Sequence, residues 1–194
     1  MMKYINEIRK KFRKLPLFKT RDAVIIITKM GGTRGYAYLL LNHLAKRGEI
    51  TRITKGYYSF EEEIEVCGFA YSPFYYGLQE ALSLRNLWEQ ETNPVIITTR
   101  KTRTGLKKIL GKNVLIRRIS QKMFFGFEMV KYYDFWVPVS DVEKTLIDFI
   151  YFGEYLNEET LTEIKKNIKM DKLKNYLKKV PKRIRNRVLE ILKK

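Results

Sequence analysis

Four polar side chains recur at four-residue intervals: Arg34, Tyr38, Asn42 and Lys46. In a helix, this spacing places all four on one face. An arginine can bind guanine through two hydrogen bonds, an asparagine can bind adenine in the same way, and the hydroxyls of Thr33 and Tyr38 can reach phosphates. The set therefore predicts a surface that reads nucleic acid. The alternative is a solvated polar face of a helical hairpin.

Two helices separated by a glycine turn are predicted to present this face. Thr20 is expected to cap the first helix, which breaks at Lys29–Gly32. Thr33 is expected to cap the second helix, which stops at Gly48. The run Val24–Ile27 is β-branched and favours a strand, but the signals around it favour a helix. The second helix has a regular apolar face made of Ala37, Leu40, Leu41 and Leu44.

A basic hairpin is predicted after the second helix. Two β-leaning runs, Ile50–Thr54 and Tyr57–Phe60, flank a tip at Lys55, and a basic helix at Lys3–Lys14 precedes the pair of helices. This order is the helix-turn-helix plus wing that reads duplex DNA. Arg52 and Lys55 on the wing would suit phosphates or the adjacent minor groove.

Composition narrows the class of partner. The chain has 194 residues, and its 39 Lys and Arg against 21 Asp and Glu give a net charge of +18, which fits a polyanion and nucleic acid first. No apolar run approaches a membrane span and no signal peptide opens the chain, so we expect a cytoplasmic protein with no membrane partner. Cys67 is the only cysteine of the sequence and His43 is its only histidine, so no disulfide framework, zinc site or cofactor is expected.

The sequence predicts an α+β protein in three parts. A winged helix-turn-helix occupies 1–63, a small α/β domain 64–160 and a basic helical extension 161–194, with the acidic run Glu61–Glu63 at the first boundary. The elements expected in the middle part are a helix at Tyr76–Trp88, strands at Pro94–Thr99, Asn113–Ile119 and Phe135–Val139, and a helix at Asp141–Tyr151.

The C-terminal tail is strongly basic. From Lys165 onward it carries 13 basic and two acidic residues. Apolar residues keep helical spacing through it, and Pro181 is expected to divide it into two amphipathic helices. It is interpreted either as a packed extension with a solvated cationic face or as a second surface for nucleic acid or an acidic partner.

An acidic cluster near residue 145 invites a nuclease interpretation. However, a nuclease metal site needs carboxylates that converge from separate elements. Ser140 and Glu143 instead form a predicted capping box beside Asp141, and Lys144 and Asp148 form an i,i+4 pair on one helix. A structural role is therefore favoured, and no catalytic or metal-binding residue is predicted.

Two other stretches have more than one interpretation. The basic residues Arg100, Lys101 and Arg103 follow a predicted strand but lack the glycines of a phosphate loop. They are interpreted as a solvated loop or as a contact to a partner protein or nucleic acid. The aromatic stretch Phe124–Phe127 could stack on single-stranded bases, but core packing is favoured.

Several short motifs fall in the order found in a known family: Arg47–Ile50, Lys55–Tyr58, Tyr71–Pro73, Gln79–Leu82 and Val139–Asp148. Over Phe18–Phe152 the chain resembles the AbiEi-type antitoxins, the antitoxin halves of type IV abortive-infection toxin–antitoxin pairs. The resemblance implies an N-terminal winged helix, a C-terminal antitoxin domain, repression of its own promoter through inverted repeats, and counteraction of a nucleotidyltransferase toxin. The basic tail after Lys165 departs from the family pattern.

The favoured hypothesis is a repressor and antitoxin that binds double-stranded DNA and has no enzymatic activity. The sequence leaves open whether it forms a homo-oligomer. A sequence-indifferent nucleic-acid binder, motivated by the tail, is the first alternative. A metal-dependent nucleic-acid enzyme, motivated by the acidic cluster, is the second.

Overall fold

The computed structural model of the chain describes residues 2–88 and 92–193, and these form a mixed α+β fold with two sheets. The α+β class predicted from the sequence is confirmed. The predicted domain limits at residues 1 and 194 lie outside the described part.

The chain divides into two compact units at Ser72. The first runs to Ser72 and includes Lys108–Lys112, and the second comprises Pro73–Lys107 and the chain from Asn113 onward. This division differs from the predicted parts, because the segment after residue 63 groups with the first unit and the basic tail groups with the second.

In the first unit, helices pack on a small antiparallel sheet with the strand order β1-β3-β2. The predicted helices and the hairpin are confirmed, whereas the short strand β1 and the 3₁₀ helix were not predicted. The elements are α1 (Met2–Phe12), β1 (Phe18–Lys19), α2 (Thr20–Lys29), α3 (Arg34–Lys46), β2 (Thr51–Thr54), β3 (Tyr57–Ser59) and a 3₁₀ helix (Ile64–Tyr71).

The core of the first unit is made by the apolar faces of α1, α2 and α3. Ile8 and Ile27 are fully buried, and the rings of Phe12 and Phe18 stack with their centroids 4.5 Å apart. The β-branched run in α2 is helical because Ala23 and Ile27, four residues apart, are buried on one helix face, and this packing outweighs strand propensity. The predicted buried face of α3 is confirmed for Ala37, Leu40, Leu41 and Leu44.

The start of α2 differs from the prediction by one residue. Lys19 is the N-cap, and its N–H donates to Asp22 Oδ2 at 3.0 Å. The predicted cap at Thr20 is wrong because the backbone N–H of Thr20 donates to the carbonyl of Gly56 at 2.9 Å, which joins the tip of the hairpin to the beginning of α2. Gly31, with φ +85°, makes the turn into α3 that a side chain would strain.

The second unit is built on a mixed sheet with the strand order β6-β7-β5-β4-β9-β8, in which Lys108–Lys112, at the turn between β6 and β7, is the segment that groups with the first unit. The β4–β5 and β8–β9 pairs are antiparallel, and the β4–β9 and β5–β7 pairs are parallel. The elements are β4 (Phe74–Tyr76), α4 (Leu78–Ser83), β5 (Val95–Thr98), β6 (Gly105–Ile109), β7 (Lys112–Arg118), a 3₁₀ helix (Gln121–Met123), β8 (Phe127–Tyr132), β9 (Phe135–Ser140), α5 (Val142–Phe152), α6 (Glu158–Asn167), α7 (Met170–Leu177) and α8 (Lys182–Lys193).

The helix predicted at Tyr76–Trp88 is confirmed as α4, but its predicted ends are wrong. Tyr76 belongs to β4, and α4 ends at Ser83. The aromatic run in β4 forms a strand because it is buried between β5 and β9. The next residue is Gly77, and a side chain at this position would collide with Ile97. The three strands predicted in this region are confirmed as β5, β7 and β9, whereas β4, β6 and β8 were not predicted.

The aromatic stretch before β8 packs on the core, as predicted. The ring centroids of Phe124 and Phe127 lie 5.4 Å and 5.1 Å from that of Tyr75. Phe125 packs against Tyr176 of α7 with the centroids 5.1 Å apart. The aromatic rings therefore connect the sheet to the C-terminal helices.

The basic tail is an integral part of the second unit. Pro181 separates α7 from α8 as predicted, but a further break separates α6 from α7, where the N–H of Lys169 donates to Glu143 Oε1 at 2.6 Å. This partner lies on α5, so the break could not be found from local sequence. The shared core includes Ile164, just before the tail, and the tail residues Leu173, Leu177, Val180, Ile184 and Val188.

The helix α5 begins with a cap different from the predicted one. Asp141 is the N-cap, and its Oδ1 accepts from the N–H of Lys144 at 2.8 Å. The predicted capping box from Ser140 to Glu143 is wrong, because the Ser140 hydroxyl bonds that of Thr145 at 2.7 Å and Glu143 turns to α7.

The predicted Lys144–Asp148 pair forms, but in the interior of the protein. Both side chains and that of Tyr75 are fully buried. Lys144 Nζ donates to Asp148 Oδ1 and, at 2.9 Å, to the Tyr75 hydroxyl. That hydroxyl donates to Asp148 Oδ2 at 2.9 Å, so the three groups close a triangle.

Burial works against the charged forms of this pair. Loss of solvation lowers the pKa of the Lys144 ammonium and raises the pKa of the Asp148 carboxyl, and the attraction between the two groups opposes both changes. Burial also raises the pKa of the Tyr75 hydroxyl, and the neighbouring Asp148 raises it further. Removal of any one member would leave a buried polar or charged group without its partner, which is strongly unfavourable.

Removal of one member should therefore destabilise the protein severely. We expect Asp148→Asn to lower the free energy of unfolding by about 3–5 kcal/mol, because the Lys144 ammonium loses its buried counter-charge. Urea unfolding measures this loss. The control is Asp171→Asn, which removes an exposed pair with Lys174 at 3.7 Å and should cost at most about 1 kcal/mol. Equal losses in the two variants would contradict the structural role of the buried pair.

A second polar cluster fastens α7 to the start of α5. Asp141 Oδ2 accepts from the Tyr176 hydroxyl at 2.7 Å and from Lys172 Nζ at 3.0 Å. Burial and the hydrogen bond to Asp141 raise the pKa of Tyr176. Burial lowers the pKa of Lys172, but the hydrogen bond to Asp141 and the charge of Glu143 outweigh it and raise the pKa overall.

Both shifts predict a loss of stability in alkaline solution. A group whose pKa is raised by folding contributes stability that is complete below its unfolded pKa, about 10 for these groups, and that is lost as the pH rises through the higher folded value. We expect Tyr176→Phe to be less stable than the parent near neutral pH and to lose less stability above about pH 10. Urea unfolding at both pH values tests this. Tyr155→Phe, at an exposed position, is the control and should follow the parent; a Tyr176→Phe protein that also follows it would contradict the assignment.

Candidate nucleic-acid interface

The outward face of α3 gathers the polar residues singled out from the sequence. Arg34, Tyr38, Asn42 and Lys46 are all exposed, on the side opposite the buried apolar face. Thr33 is exposed just before them. The structure therefore brings these five predicted residues onto one surface, which we call the α3 face.

Local sequence determines where α3 begins. Thr33 is the N-cap, as predicted, and its Oγ1 accepts from the N–H of Tyr36 at 3.1 Å. The remaining N–H groups of the first turn and the helix dipole favour an anion at this end. The α3 face thus starts at a terminus suited to a phosphate group.

Arg34 and Tyr38 form a unit one helical turn apart. Arg34 Nη2 donates to the Tyr38 hydroxyl at 3.3 Å, and the guanidinium lies 5.8 Å from the ring centroid. The hydrogen bond to Tyr38 raises the pKa of Arg34. The contact holds an exposed guanidinium above the surface of the helix, which reduces the rotamer freedom that binding would otherwise remove.

A cavity of about 540 Å³ opens beside this pair. It combines cationic and apolar side chains from β1, α2, α3 and the hairpin. Its lining residues are Lys19, Thr20, Arg21, Val24, Ile25, Arg34, Tyr38, Gly56 and Tyr57. Of these, only Arg34 and Tyr38 were predicted as site residues. The others come from β1, α2 and the hairpin, which the pairing of β1 with β3 brings together.

The hairpin places two further predicted residues in solvent. Arg52 on β2 and Lys55 at the tip are exposed. The pairing shifts between Arg52 and Thr54, which bends the strand. Since the tip is joined to the start of α2, the basic end of the hairpin is held beside the cavity.

The predicted partner-binding residues lie in the second unit. Arg100, Lys101 and Arg103 are exposed on the connection between β5 and β6. The N–H of Arg100 donates to Thr98 Oγ1 at 3.0 Å, and that hydroxyl donates to the carbonyl of Pro73 at 2.7 Å. The base of the loop is therefore anchored, while its cationic side chains face solvent.

The side chains that most often bind metals or act as nucleophiles, those of cysteine and histidine, are wholly or partly buried. Cys67 is buried and His43 is half-buried on α3. Within residues 2–88 and 92–193, no group of three or more His, Cys, Asp and Glu side chains is arranged to hold a metal ion. Over the same ranges, no helix has the length and hydrophobicity to cross a bilayer.

The overall fold has a known counterpart. The crystal structure of the RV2827C protein from Mycobacterium tuberculosis resembles this chain with a TM-score of 0.65, over 97% of this chain and 74% of that one, at 12% sequence identity. At this identity the similarity concerns the fold alone. No protein-family model and no curated protein matches the sequence.

Proposed function

We propose that the protein is a transcriptional regulator that reads duplex DNA with α3. The observation that carries the proposal is the exposed α3 face, with its ordered Arg34–Tyr38 pair, beside a basic hairpin. The first unit is then a winged helix-turn-helix, with α2 and α3 as the two helices of the motif and β2–β3 as the wing. The order of the elements and the hydrogen bond from α2 to the hairpin tip support this assignment.

The dimensions of α3 suit the major groove. An α-helix with its side chains is about 10–12 Å across, and the groove is about 12 Å wide, so the 13-residue helix can lie in it. Arg34, in the first turn, would lie nearest the base edges and bind guanine, and Asn42 would bind adenine farther along. Lys46 and the wing residues Arg52 and Lys55 would contact phosphates and fix the register.

The composition of the chain supports duplex DNA as the partner. A net charge of +18 attracts a polyanion from a distance and speeds encounter. Charge alone does not select a sequence, however, because phosphate contacts are the same on every duplex. Sequence preference must therefore come from the α3 face.

We further propose that the regulator is an antitoxin that represses its own operon and counteracts a nucleotidyltransferase toxin. The resemblance of Phe18–Phe152 to AbiEi-type antitoxins supports this step. The exposed loop carrying Arg100, Lys101 and Arg103 would contact the toxin, because it is anchored at its base and belongs to the unit that follows the DNA-binding one.

A sequence-indifferent nucleic-acid binder is the second candidate. It is favoured by the tail, in which 13 basic residues accompany two acidic ones while the apolar residues turn inward. The two candidates differ in one property. The regulator prefers one duplex over another and loses this preference when the α3 face is altered, whereas the sequence-indifferent binder has no such preference.

Arg34→Ala tests the proposed role of α3. We expect it to reduce the preference for the protein's own upstream duplex over a scrambled duplex by about 1–3 kcal/mol, because it removes a bidentate hydrogen-bonded pair with a base. Fluorescence anisotropy with both duplexes measures the preference.

Arg13→Ala is the matched control, since it removes one exposed arginine outside the α3 face. It should lower affinity for both duplexes equally. An Arg34→Ala protein that behaves in the same way would contradict the recognition role of α3.

The proposed contact of the loop between β5 and β6 with the toxin is tested by the triple variant Arg100→Gln, Lys101→Gln, Arg103→Gln. We expect affinity for the cognate toxin, measured by calorimetry, to fall about tenfold or more, which corresponds to about 1.4 kcal/mol. DNA preference should remain. The control removes three cations from the tail, with Lys166→Gln, Lys174→Gln and Lys178→Gln; an equal loss of toxin affinity there would reject a specific role for the loop.

A further inference from the structure

A groove of about 640 Å³ lies between the end of α5 and one face of α8. This volume is within the roughly 300–1,000 Å³ of small-molecule sites. The residues from α5 are Ile150–Gly153, and those from α8 are Arg183, Ile184, Asn186, Arg187 and Glu190. The groove belongs entirely to the second unit and is separate from the α3 face.

The position of α8 is rigidly determined. Ile184 and Val188 anchor it in the core, and Arg185 Nε donates to the carbonyl of Leu177 at 2.9 Å, which closes the turn from α7. Arg183 and Arg187 are one turn apart on the side that lines the groove. The guanidinium groups of Arg183 and Arg187 therefore lie on a helix that is already ordered before a ligand binds.

The two arginines differ in their partners. Arg187 Nη1 pairs with Glu190 at 3.2 Å across an exposed turn. Arg183 is exposed and makes no ion pair in the part of the chain that the structure describes. Its planar fork of donors matches a phosphate group. A phosphate would thus bind first at Arg183, at the end of the groove away from Glu190.

Aromatic side chains supply the opposite wall. Tyr151 and Phe152 are half-buried, with ring centroids 5.0 Å apart and planes at 89°. Behind Phe152, the guanidinium of Arg117 lies 5.8 Å from the ring centroid and pairs with Glu154, so the cations of the groove itself are Arg183 and Arg187. The groove therefore combines aromatic faces with cations.

We propose that this groove binds single-stranded nucleic acid, with a backbone phosphate on Arg183 and Arg187 and a base against Tyr151 or Phe152. Stacking on aromatic rings along a cationic groove is the general mode by which single strands are bound without sequence preference. The surplus of cations on the tail, of which α8 is a part, favours this occupant over a protein segment of mixed charge.

The test uses the full chain and a labelled oligothymidylate of about ten nucleotides, within the ~4–16 nucleotides of one single-strand site. We expect Arg183→Gln with Arg187→Gln to weaken binding about tenfold and to reduce the log–log salt slope by about 0.7 for each phosphate that is no longer neutralised. Lys174→Gln with Lys178→Gln is the control, with the same reduction of charge outside the groove. Equal effects in the two double variants would overturn the proposal.

A second variant separates stacking from charge. Tyr151→Leu keeps apolar bulk and should weaken strand binding several-fold with an unchanged salt slope, as expected when a base no longer stacks on an aromatic ring. If neither Tyr151→Leu nor Phe152→Leu weakens binding, the proposed stacking is wrong. Thermal unfolding of each variant verifies that the fold is kept.

Competition with uridine monophosphate distinguishes a strand from a free nucleotide. The proposal predicts that the mononucleotide does not displace the oligonucleotide at comparable concentration, and displacement would assign the groove to a free nucleotide instead. Arg183→Gln with Arg187→Gln should retain the preference for the upstream duplex over the scrambled duplex. The proposal for the groove and the proposal for duplex recognition can therefore be rejected independently of each other.

Discussion

An ammonium group and a carboxylate, both removed from water, determine how the second unit is assembled. Lys144 and Asp148 lie one turn apart on α5, and the Tyr75 hydroxyl from β4 completes their hydrogen bonding. Because a buried charge without its partner is strongly unfavourable, Lys144 and Asp148 must stay paired, and their hydrogen bonds to Tyr75 join α5 to the sheet. The same helix holds the tail through Asp141 and Glu143. The basic tail is consequently part of a folded surface, and its cations are carried by helices that are anchored in the core.

The first unit depends on short-range signals, and for this reason it could be predicted in detail. The cap at Thr33, the glycine turn and the three-four spacing of apolar residues define α3 from the sequence alone, and the exposed polar face follows from the helix geometry. The cavity beside Arg34 could not be predicted, since it depends on β1. That strand has two residues, and it exists because it pairs with β3 some forty positions later.

In the second unit, errors occur where long-range packing decides the structure. Periodicity placed Tyr76 in a helix, but burial between neighbouring strands makes its segment a strand. The pair Lys144–Asp148 could be identified from its spacing but not placed in the interior, because an i,i+4 pair is usually found on a solvated face. The break before α7 depends on Glu143, which is 26 residues away in the chain. The fold class and the α3 face were thus accessible to local reasoning, whereas strand order and the buried polar groups were not.

A salt titration of binding to the protein's own upstream duplex, beside a scrambled duplex of equal length, tests most directly whether α3 reads sequence. Each phosphate contact contributes about 0.9 to the log–log slope, so two duplexes that differ only in base contacts should give similar slopes and different affinities. We predict that the preference for the upstream duplex persists near physiological salt. Equal affinities with equal slopes across the titration would mean that the net charge alone binds DNA, and would contradict the recognition role of the α3 face.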